Sequence, residues 1–465
     1  MTATRNPLDP AEPAFPRLSR RDCLGWATAG LAAPLLQACG GGGMPAFAPV
    51  TPPVSSDAES VRWCREAIQS ALGRSSSQTA AVSVALLADD RLVWREAFGY
   101  ADRERGLLAT PDTRFNVASI AKVVTALAVM ILRDRGLLTL DQPLVALLPG
   151  FRMRSPGFIR ITVRHLLAHT SGVPGYNFRN AFNFAPYPDY AQDTLNALAD
   201  SHLKHEPGEL AVYCNDGFTL IEPLVRQLSG LSFTDFVRRE IFEPLGMRLS
   251  DYTTALAAEG SFAHPFEEGR NLPQELCASY ATGGILTTPT DMMKLARLLL
   301  DQGMYEGRRI VSAEAVREMG VDQSADNAIN PTPIWRWGLG WDSVQQAGMA
   351  AAGLRGWTKN GGSHFFHTEF HVLPEARLAM LVTGSGFDYG GLDLAEGLLL
   401  RAAAERGAIQ ALPSTLVSIV PPRIVAEPDT TELVGVYANY EAPLQVLAAN
   451  DGSLTLKRWN GTEWT

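Results

Sequence analysis

Residues 114–132 read RFNVASIAKVVTALAVMIL. From Val123 to Leu132 the stretch carries no charge, and Thr125 is its one polar side chain. Such a run predicts a helix buried on every side. Lys122 stands at its mouth, three residues after Ser119. A lysine entering a buried helix is costly unless it has a partner or has lost its proton. Positions i and i+3 share a helix face, with Cβ atoms about 5–6 Å apart, so Ser119 and Lys122 can meet. Ser119 follows the extended FNVA and is expected at the helix N-terminus, where backbone N–H groups are unpaired and the dipole favours negative charge. A serine there can act as a nucleophile, and its own N–H can help hold an oxyanion. A lysine desolvated by apolar neighbours can act as the base. The plainer alternative is an N-cap serine beside a snorkelling lysine. A second Ser-x-x-Lys, Ser201 to Lys204, leads into HEPGE, where Pro207 and Gly208 end any helix; it is expected at the surface.

Two more short motifs follow in order. Tyr213-Cys214-Asn215 lies in HEPGELAVYCNDGFTLIE, a loop before a helical pattern, and Lys359-Asn360-Gly361 lies in WTKNGGSHFF, opening a strand. The series Ser-x-x-Lys, Tyr-x-Asn, Lys-x-Gly resembles the serine β-lactamase and penicillin-binding-protein superfamily, especially class C β-lactamases, D-amino-acid peptidases and related esterases. Longer segments resemble family landmarks in the family's order: FNVASIAKVVTALAVMILRDRGLLTLDQPLVALLPGF, ITVRHLLAHTSGVPGY, FEPLGM, GGILTTPTDM and GLGW. A second Tyr-x-Asn, Tyr437 to Asn439, sits in the C-terminal tail and reads as chance.

The resemblance implies roles one residue at a time. Ser119 would be the acylated nucleophile, and Lys122 would accept or relay its proton. Tyr213 would share proton transfer and activate the deacylating water. Asn215 would hydrogen-bond Lys122 and the substrate amide. Lys359 would hold a substrate carboxylate. The N–H of Gly362 would pair with that of Ser119 as the oxyanion hole. Two positions depart from the family pattern. Asn360 replaces the usual Thr or Ser, which alters the donors near the substrate beside Gly361 and Gly362. Cys214 replaces a small Ser or Ala, and its thiol reads as buried, as half of a bridge to Cys277, or as a redox-sensitive group.

Other histidines are weighed against this site. His364, His367, Glu369 and His371 crowd one strand. His367, Glu369 and His371 share a face, but the two histidines are about 13 Å apart along it, too far for one metal. No metal and no cofactor is expected. His165 and His169, one helical turn apart in RHLLAHTSG, are expected to be structural.

The whole chain has 465 residues, 46% apolar and 19% charged, enough for a large core. Its net charge of −9 without a basic stripe argues against nucleic acid as a partner. Nothing after residue 50 approaches the roughly 18 uninterrupted apolar residues of a membrane span. The N-terminal SRRDCLGWATAGLAAPLLQACGGGG resembles a twin-arginine export signal over 1–38, with Leu36 to Cys39 resembling a bacterial lipobox. This implies a lipid on the Cys39 thiol, and Gly40 after it favours the outer membrane. A Gly/Pro/Ser-rich tether spans 39–56. With Cys39 lipidated and the signal gone, Cys64, Cys214 and Cys277 leave room for one bridge and one free thiol.

Strand patterns occur near 79–104 and again near 337–385, with a helical stretch between them and a helix at about 390–406. The expected fold is therefore α+β. An antiparallel sheet built from both ends of the domain is flanked by helices, with a helical subdomain inserted, as in β-lactamases. The hydrolase domain is placed at 57–411, a Pro-rich linker at 412–430, and a partial β module at 431–465, around an Asn450-Asp451-Gly452 turn. The expected function is an exported serine hydrolase, foremost a D-amino-acid peptidase of carboxypeptidase type. An esterase or class C β-lactamase is the alternative on the same chemistry, and a penicillin-binding sensor without turnover the alternative of another class. Its small-molecule partners would be a peptide, a β-lactam or an ester.

Overall fold

The computed structural model describes residues 55–175, 177, 179–327, 335–413, 433–437, 443–449 and 453–465. The expected export signal, Cys39, the expected tether as far as residue 54, residues 414–430 of the expected linker, residues 431–432 and the expected 450–452 turn lie outside the described residues.

Ten elements position the site. They are α1 (Glu59–Gly73), β1 (Ala81–Ala88), β2 (Arg91–Asp102), β3 (Leu107–Leu108), α2 (Ala121–Asp134), α3 (Pro289–Leu300), β4 (Trp357–Gly362), β5 (Phe366–Leu373), β6 (Leu378–Ser385) and α4 (Gly391–Glu405). The strands form one sheet in the order β4-β5-β6-β1-β2-β3, every neighbour antiparallel. The two ends of the domain thus share one sheet: β1 pairs with β6 from Val82 opposite Gly384 to Ala88 opposite Leu378. This is the α+β arrangement expected from the sequence.

Period-2 alternation divides β1 between two cores. Val82, Val84 and Leu86 pack with Val61, Cys64 and Ile68 of α1 and with Leu394 and Leu398 of α4. Ala85 and Leu87 face the other way, into the larger core around α2. Every residue of α2 from Ala121 to Leu132 is buried, including Lys122 and Thr125. Thr125 is satisfied there because its hydroxyl donates to the Ala281 carbonyl at 2.7 Å. The inserted region is less regular than its helical pattern suggests. It alternates short helices such as Asn215–Thr219 and Tyr280–Gly283 with two- and three-residue strands. Among the described residues no helix is long and apolar enough to cross a membrane. The C-terminal tail forms a three-stranded antiparallel meander, β7 (Gly435–Tyr437), β8 (Leu444–Ala448) and β9 (Leu454–Arg458). Tyr437 belongs to it, away from the site.

Leu127 is fully buried midway along α2, within the larger core. Leu127→Ala should therefore cost about 2–5 kcal/mol of stability. Denaturant unfolding monitored by circular dichroism checks this, and a loss below 1 kcal/mol would show that the core around α2 collapses freely.

Candidate active site

Ser119 lies in a single 3-10 turn, Ala118–Ile120, which runs straight into α2. Its N–H is in the first turn, where a helix supplies no acceptor. Ala118, just before it, has φ +46°. A side chain in that left-handed region costs roughly 1–2 kcal/mol, so the surroundings must hold it. The Asn116 side chain does so by accepting the Ala118 N–H at 2.9 Å.

The expected meeting of serine and lysine is present: Lys122 Nζ is 2.9 Å from Ser119 Oγ. It also donates to the Thr282 carbonyl at 2.9 Å. Burial pushes the Lys122 ammonium well below the ordinary lysine range, and the charge of Lys359 pushes it further. Lys122 is thus suited to be a neutral amine. The second Ser-x-x-Lys makes no such pair. Ser201 bonds the Ala197 carbonyl, and Lys204 reaches the Pro174 carbonyl.

Tyr213 sits between the two lysines, its ring centroid 5.0 Å from Lys122 Nζ and 5.1 Å from Lys359 Nζ. Burial raises its phenol, although hydrogen bonds to Ser119 and Lys359 oppose the rise. The proton therefore belongs on the phenol while Lys122 is free to accept one. His169 stacks on the Tyr213 ring at 4.5 Å and 25°. Its Nδ1 accepts the Cys214 N–H at 3.0 Å, and burial followed by the nearby lysines keeps the imidazole neutral. His169 is structural, as expected, but the structure it supports is the tyrosine itself.

Lys359 stands differently from its expected role. It is fully buried, and its ammonium bonds Asp342 Oδ2 at 2.8 Å and the Asn360 carbonyl at 2.7 Å. Burial pulls its pKa down, but the Asp342 carboxylate and Tyr213 outweigh that, so the ammonium is held above the ordinary lysine value. Its charge is paired with Asp342, and Lys359 is not among the described residues that line the pocket. Asn215 differs too. The Thr282 carbonyl takes the place beside Lys122 expected for it, and Asn215 Oδ1 is buried with no partner among the described residues. Asn215 is nonetheless one of the residues lining the pocket.

Strand β4 forms the opposite wall. Its outward N–H groups alternate: Thr358 donates to the Ser343 carbonyl at 2.7 Å and Asn360 to Asp342 Oδ2 at 3.0 Å. By the same period the Gly362 N–H points off this edge, into the pocket that Gly362 lines. Gly361 permits the approach, since a Cβ there would sit 2.2 Å from the Val117 carbonyl oxygen. The pocket has a volume of 570 Å³ and is walled by Ser119, Tyr213, Asn215, Asn360 and Gly362, with Phe182, Tyr190 and Trp335 as its large apolar surfaces. None of its described lining residues is Lys, Arg, Asp or Glu.

The remaining expectations resolve as follows. Cys64, Cys214 and Cys277 are all buried and free, so the Cys214–Cys277 bridge is not formed. Cys214 instead caps the Asn215–Thr219 helix, its Sγ accepting the Gly217 N–H at 3.3 Å. Burial pushes the Cys277 thiol up to about 12 and raises that of Cys214. His364 is not on the strand with the other histidines but in the turn before it, facing the pocket. Glu369 joins His367 and His371, at 3.3 and 3.0 Å. Sequence reasoning missed Thr282, Asp342 and the stacking of His169. Asp342, an acid directly after the GLGW landmark, was the one visible signal among them.

A buried lysine with a lowered pKa opposes folding wherever the unfolded chain holds its proton and the native state does not. The native state then gains stability as pH rises toward the ordinary lysine value. Lys122→Met should abolish hydrolysis, raise the melting temperature at pH 7, and flatten the dependence of stability on pH above neutrality. Thermal unfolding between pH 6 and 10 measures this. A variant less stable than wild type across the range would mean that Lys122 is a net structural support.

Comparisons with known proteins agree with this arrangement. A family model described as Beta-lactamase matches residues 65–405. "Penicillin-binding protein 4" of Amycolatopsis lactamdurans is 28% identical over 368 residues, covering 73% of this chain and 88% of the relative. Other curated relatives are spanned for between about a third and about 70% of their own length, such as "Penicillin-binding protein 4*" of Bacillus subtilis, 32% identical over 162 residues, 34% of each chain. Among solved structures, D-amino acid amidase from Ochrobactrum anthropi SV3 superposes with a TM-score of 0.58 at 22% identity, covering 74% of this chain and all of that one. The fold, the family match over most of the domain and the pairing of Ser119 with a buried lysine make the chain a member of the β-lactamase family, within the serine β-lactamase and penicillin-binding-protein superfamily of serine hydrolases.

Proposed function

We propose that this serine hydrolase cleaves uncharged amides or esters through an acyl-enzyme on Ser119. The 2.9 Å approach of Ser119 Oγ to a buried Lys122, whose burial lowers its affinity for a proton, carries the reading. Ser119 Oγ attacks the carbonyl carbon as its proton passes to Lys122 Nζ. The oxyanion takes hydrogen bonds from the N–H groups of Ser119 and Gly362. On collapse the carbon–leaving-group bond breaks, and Tyr213 delivers a proton to the departing amine or alcohol, its phenol being replenished from Lys122. Water then attacks the acyl carbonyl as Lys122 takes its proton, relayed by the Tyr213 hydroxyl; the bond between Ser119 Oγ and the acyl carbon breaks, the carboxylic acid leaves, and the proton returns to Ser119 Oγ.

The substrate class follows from charge. A peptide ending in a free carboxylate would meet no cation on the described walls of the pocket, and Lys359 is held by Asp342. This moves the preference away from a carboxypeptidase and toward amidase or esterase chemistry. The amidase named above has the same fold, which is consistent with this reading and goes no further. Phe182, Tyr190 and Trp335 favour an apolar acyl group. The sensor alternative predicts an acyl-enzyme that persists for hours.

Fluorophosphonate should label wild type and Ser201→Ala but not Ser119→Ala; labelling that survives in Ser119→Ala and vanishes in Ser201→Ala would overturn the assignment. Wild type should hydrolyse p-nitrophenyl butyrate or an amino-acid amide in preference to a D-Ala-D-Ala peptide. Lys359→Ala should lower kcat/KM on charged and neutral substrates alike, roughly 10²-fold or more, because it disturbs the proton path through Tyr213. A loss confined to carboxylate substrates would restore the carboxypeptidase reading.

The protein is also proposed to be exported and held to the outer membrane by a lipid on Cys39, on the strength of RR and LLQAC in its N-terminal sequence. Cys39→Ala should move it from membranes to the soluble periplasmic fraction, and an unmodified Cys39 in the intact mass of the native protein would exclude the anchor.

A further inference from the structure

The two N–H groups of the oxyanion hole come from distant parts of the chain, one after Ala118 and one at the end of β4. A single buried carboxylate reaches both. Glu275 is 2% exposed. Its Oε1 accepts the His364 N–H at 3.2 Å and lies 3.2 Å from His364 Nδ1, and the Ser363 hydroxyl bonds the same carboxylate. Its Oε2 accepts from Asn116 Nδ2 at 3.4 Å, and Asn116 Oδ1 in turn accepts the Ala118 N–H at 2.9 Å. Residues 363 and 364 directly follow Gly362, and Ala118 directly precedes Ser119.

We propose that Glu275 is the clamp that sets the geometry of the oxyanion hole, a positioning residue that acts through Asn116 on Ser119 and through Ser363 and His364 on Gly362. The proposal rests on the reading of Ser119 as the acylated residue. The packing of Gly361 on Val117 fixes how closely the two segments approach. It does not fix where their N–H groups point, and orientation is what Glu275 supplies. Ala118 is held at φ +46° by the Asn116 end of this chain of bonds, and release would let the Ser119 N–H rotate away. The Ser363–Phe366 turn is held at the other end, where the Ser363 N–H donates to the Phe366 carbonyl at 3.0 Å. A carboxylate suits the position because its two oxygens are acceptors only, and donors converge on it from both sides. A glutamine there must turn an N–H₂ toward one arm, so that donor faces donor on one side of the hole. Glu275 is itself anchored, since the adjoining Leu276–Cys277 strand pairs with Phe182–Asn183 in the pocket wall.

The test uses the full-length protein and the variants Glu275→Gln and His364→Ala. The His364 side chain is 64% exposed, so that variant folds even where the first does not. Acylation by p-nitrophenyl [1-¹³C]pivalate is followed by stopped flow, and the acyl carbonyl stretch by isotope-edited infrared difference spectroscopy. Glu275→Gln should acylate roughly 10- to 100-fold more slowly with KM changed by no more than a few fold, as expected when donors are misplaced by up to about 1 Å. Its carbonyl band should move to higher wavenumber, because weaker hydrogen bonds leave the carbonyl less polarised. His364→Ala should show the same shift at smaller amplitude. A merely structural role lowers the melting temperature and leaves the band in place, and an unmoved band in the variants overturns the clamp. Should fluorophosphonate fail to label wild-type Ser119, the acyl-enzyme reading fails by itself. The clamp is then decided by ¹⁵N–¹H spectra, in which Glu275→Gln moves the Ser119 and Gly362 amide resonances together if the clamp exists and leaves them unmoved if it does not.

Discussion

Two lysines share one half-buried phenol, and the charge of one works against the charge of the other. Lys122 and Lys359 approach the Tyr213 ring to 5.0 and 5.1 Å, and both are fully buried. Like charges this close, with little water between them, repel strongly. Asp342 decides which lysine keeps its proton. It lies 2.8 Å from Lys359 and stabilises that ammonium, and the resulting charge adds to burial in driving the proton off Lys122. Asp342 is thus coupled to the reactivity of Ser119 without touching it. The same pair neutralises the Lys359 ammonium behind the pocket, whose described lining includes no lysine or arginine. A single carboxylate therefore ties the charge of Lys359 to the lowered proton affinity of Lys122.

The fold delivers these groups from elements that cannot drift. Lys122 is carried by α2, where every neighbour is packed; Lys359 by β4, ordered through β5 and β6; and Tyr213 lies one residue before the Cys214 cap of a helix, with His169 stacked on its ring. The irregular backbone is confined to the points of contact. Ala118 is left-handed directly before the serine, and Gly361 lets a strand edge touch the Val117 carbonyl. Strain placed here holds the N–H of Ser119 in one orientation, which is where a hydrolase of this chemistry needs its order.

What was legible in the sequence was what is local. The spacing of Ser119 and Lys122 and the apolar run after them imply the pair, because three residues on a helix fix a distance. The alternation of strand patterns at both ends of the domain implies the shared sheet, because period 2 survives in any register. The partners of the pair were not legible. The Thr282 carbonyl and the Asp342 carboxylate reach the two lysines across loops, and no periodicity relates them to Ser119. Family resemblance supplied the residue types but not the Asp342 partner of Lys359, since a motif specifies a side chain and not what neutralises it. The short strands of the inserted region were read as helix for the same reason: pairs such as Phe182 with Cys277 exist only once distant segments meet.

Burying Lys122 opposes folding, yet it sits in a helix whose residues from Ala121 to Leu132 are all buried. The two facts belong together. A loosely packed helix would admit water to the ammonium, restore its ordinary pKa and end its use as a base, so the lowered pKa requires the dense core. The core tolerates this because the surrounding apolar side chains of α2 are each worth roughly 1.5–3 kcal/mol of burial. Stability and reactivity therefore draw on the same packing. Substrate preference need not, since Phe182 and Trp335 line the pocket outside this core and can change without disturbing α2. A family built this way can keep its Ser-x-x-Lys chemistry fixed while the rim, and the partner of the second lysine, determine what is cleaved.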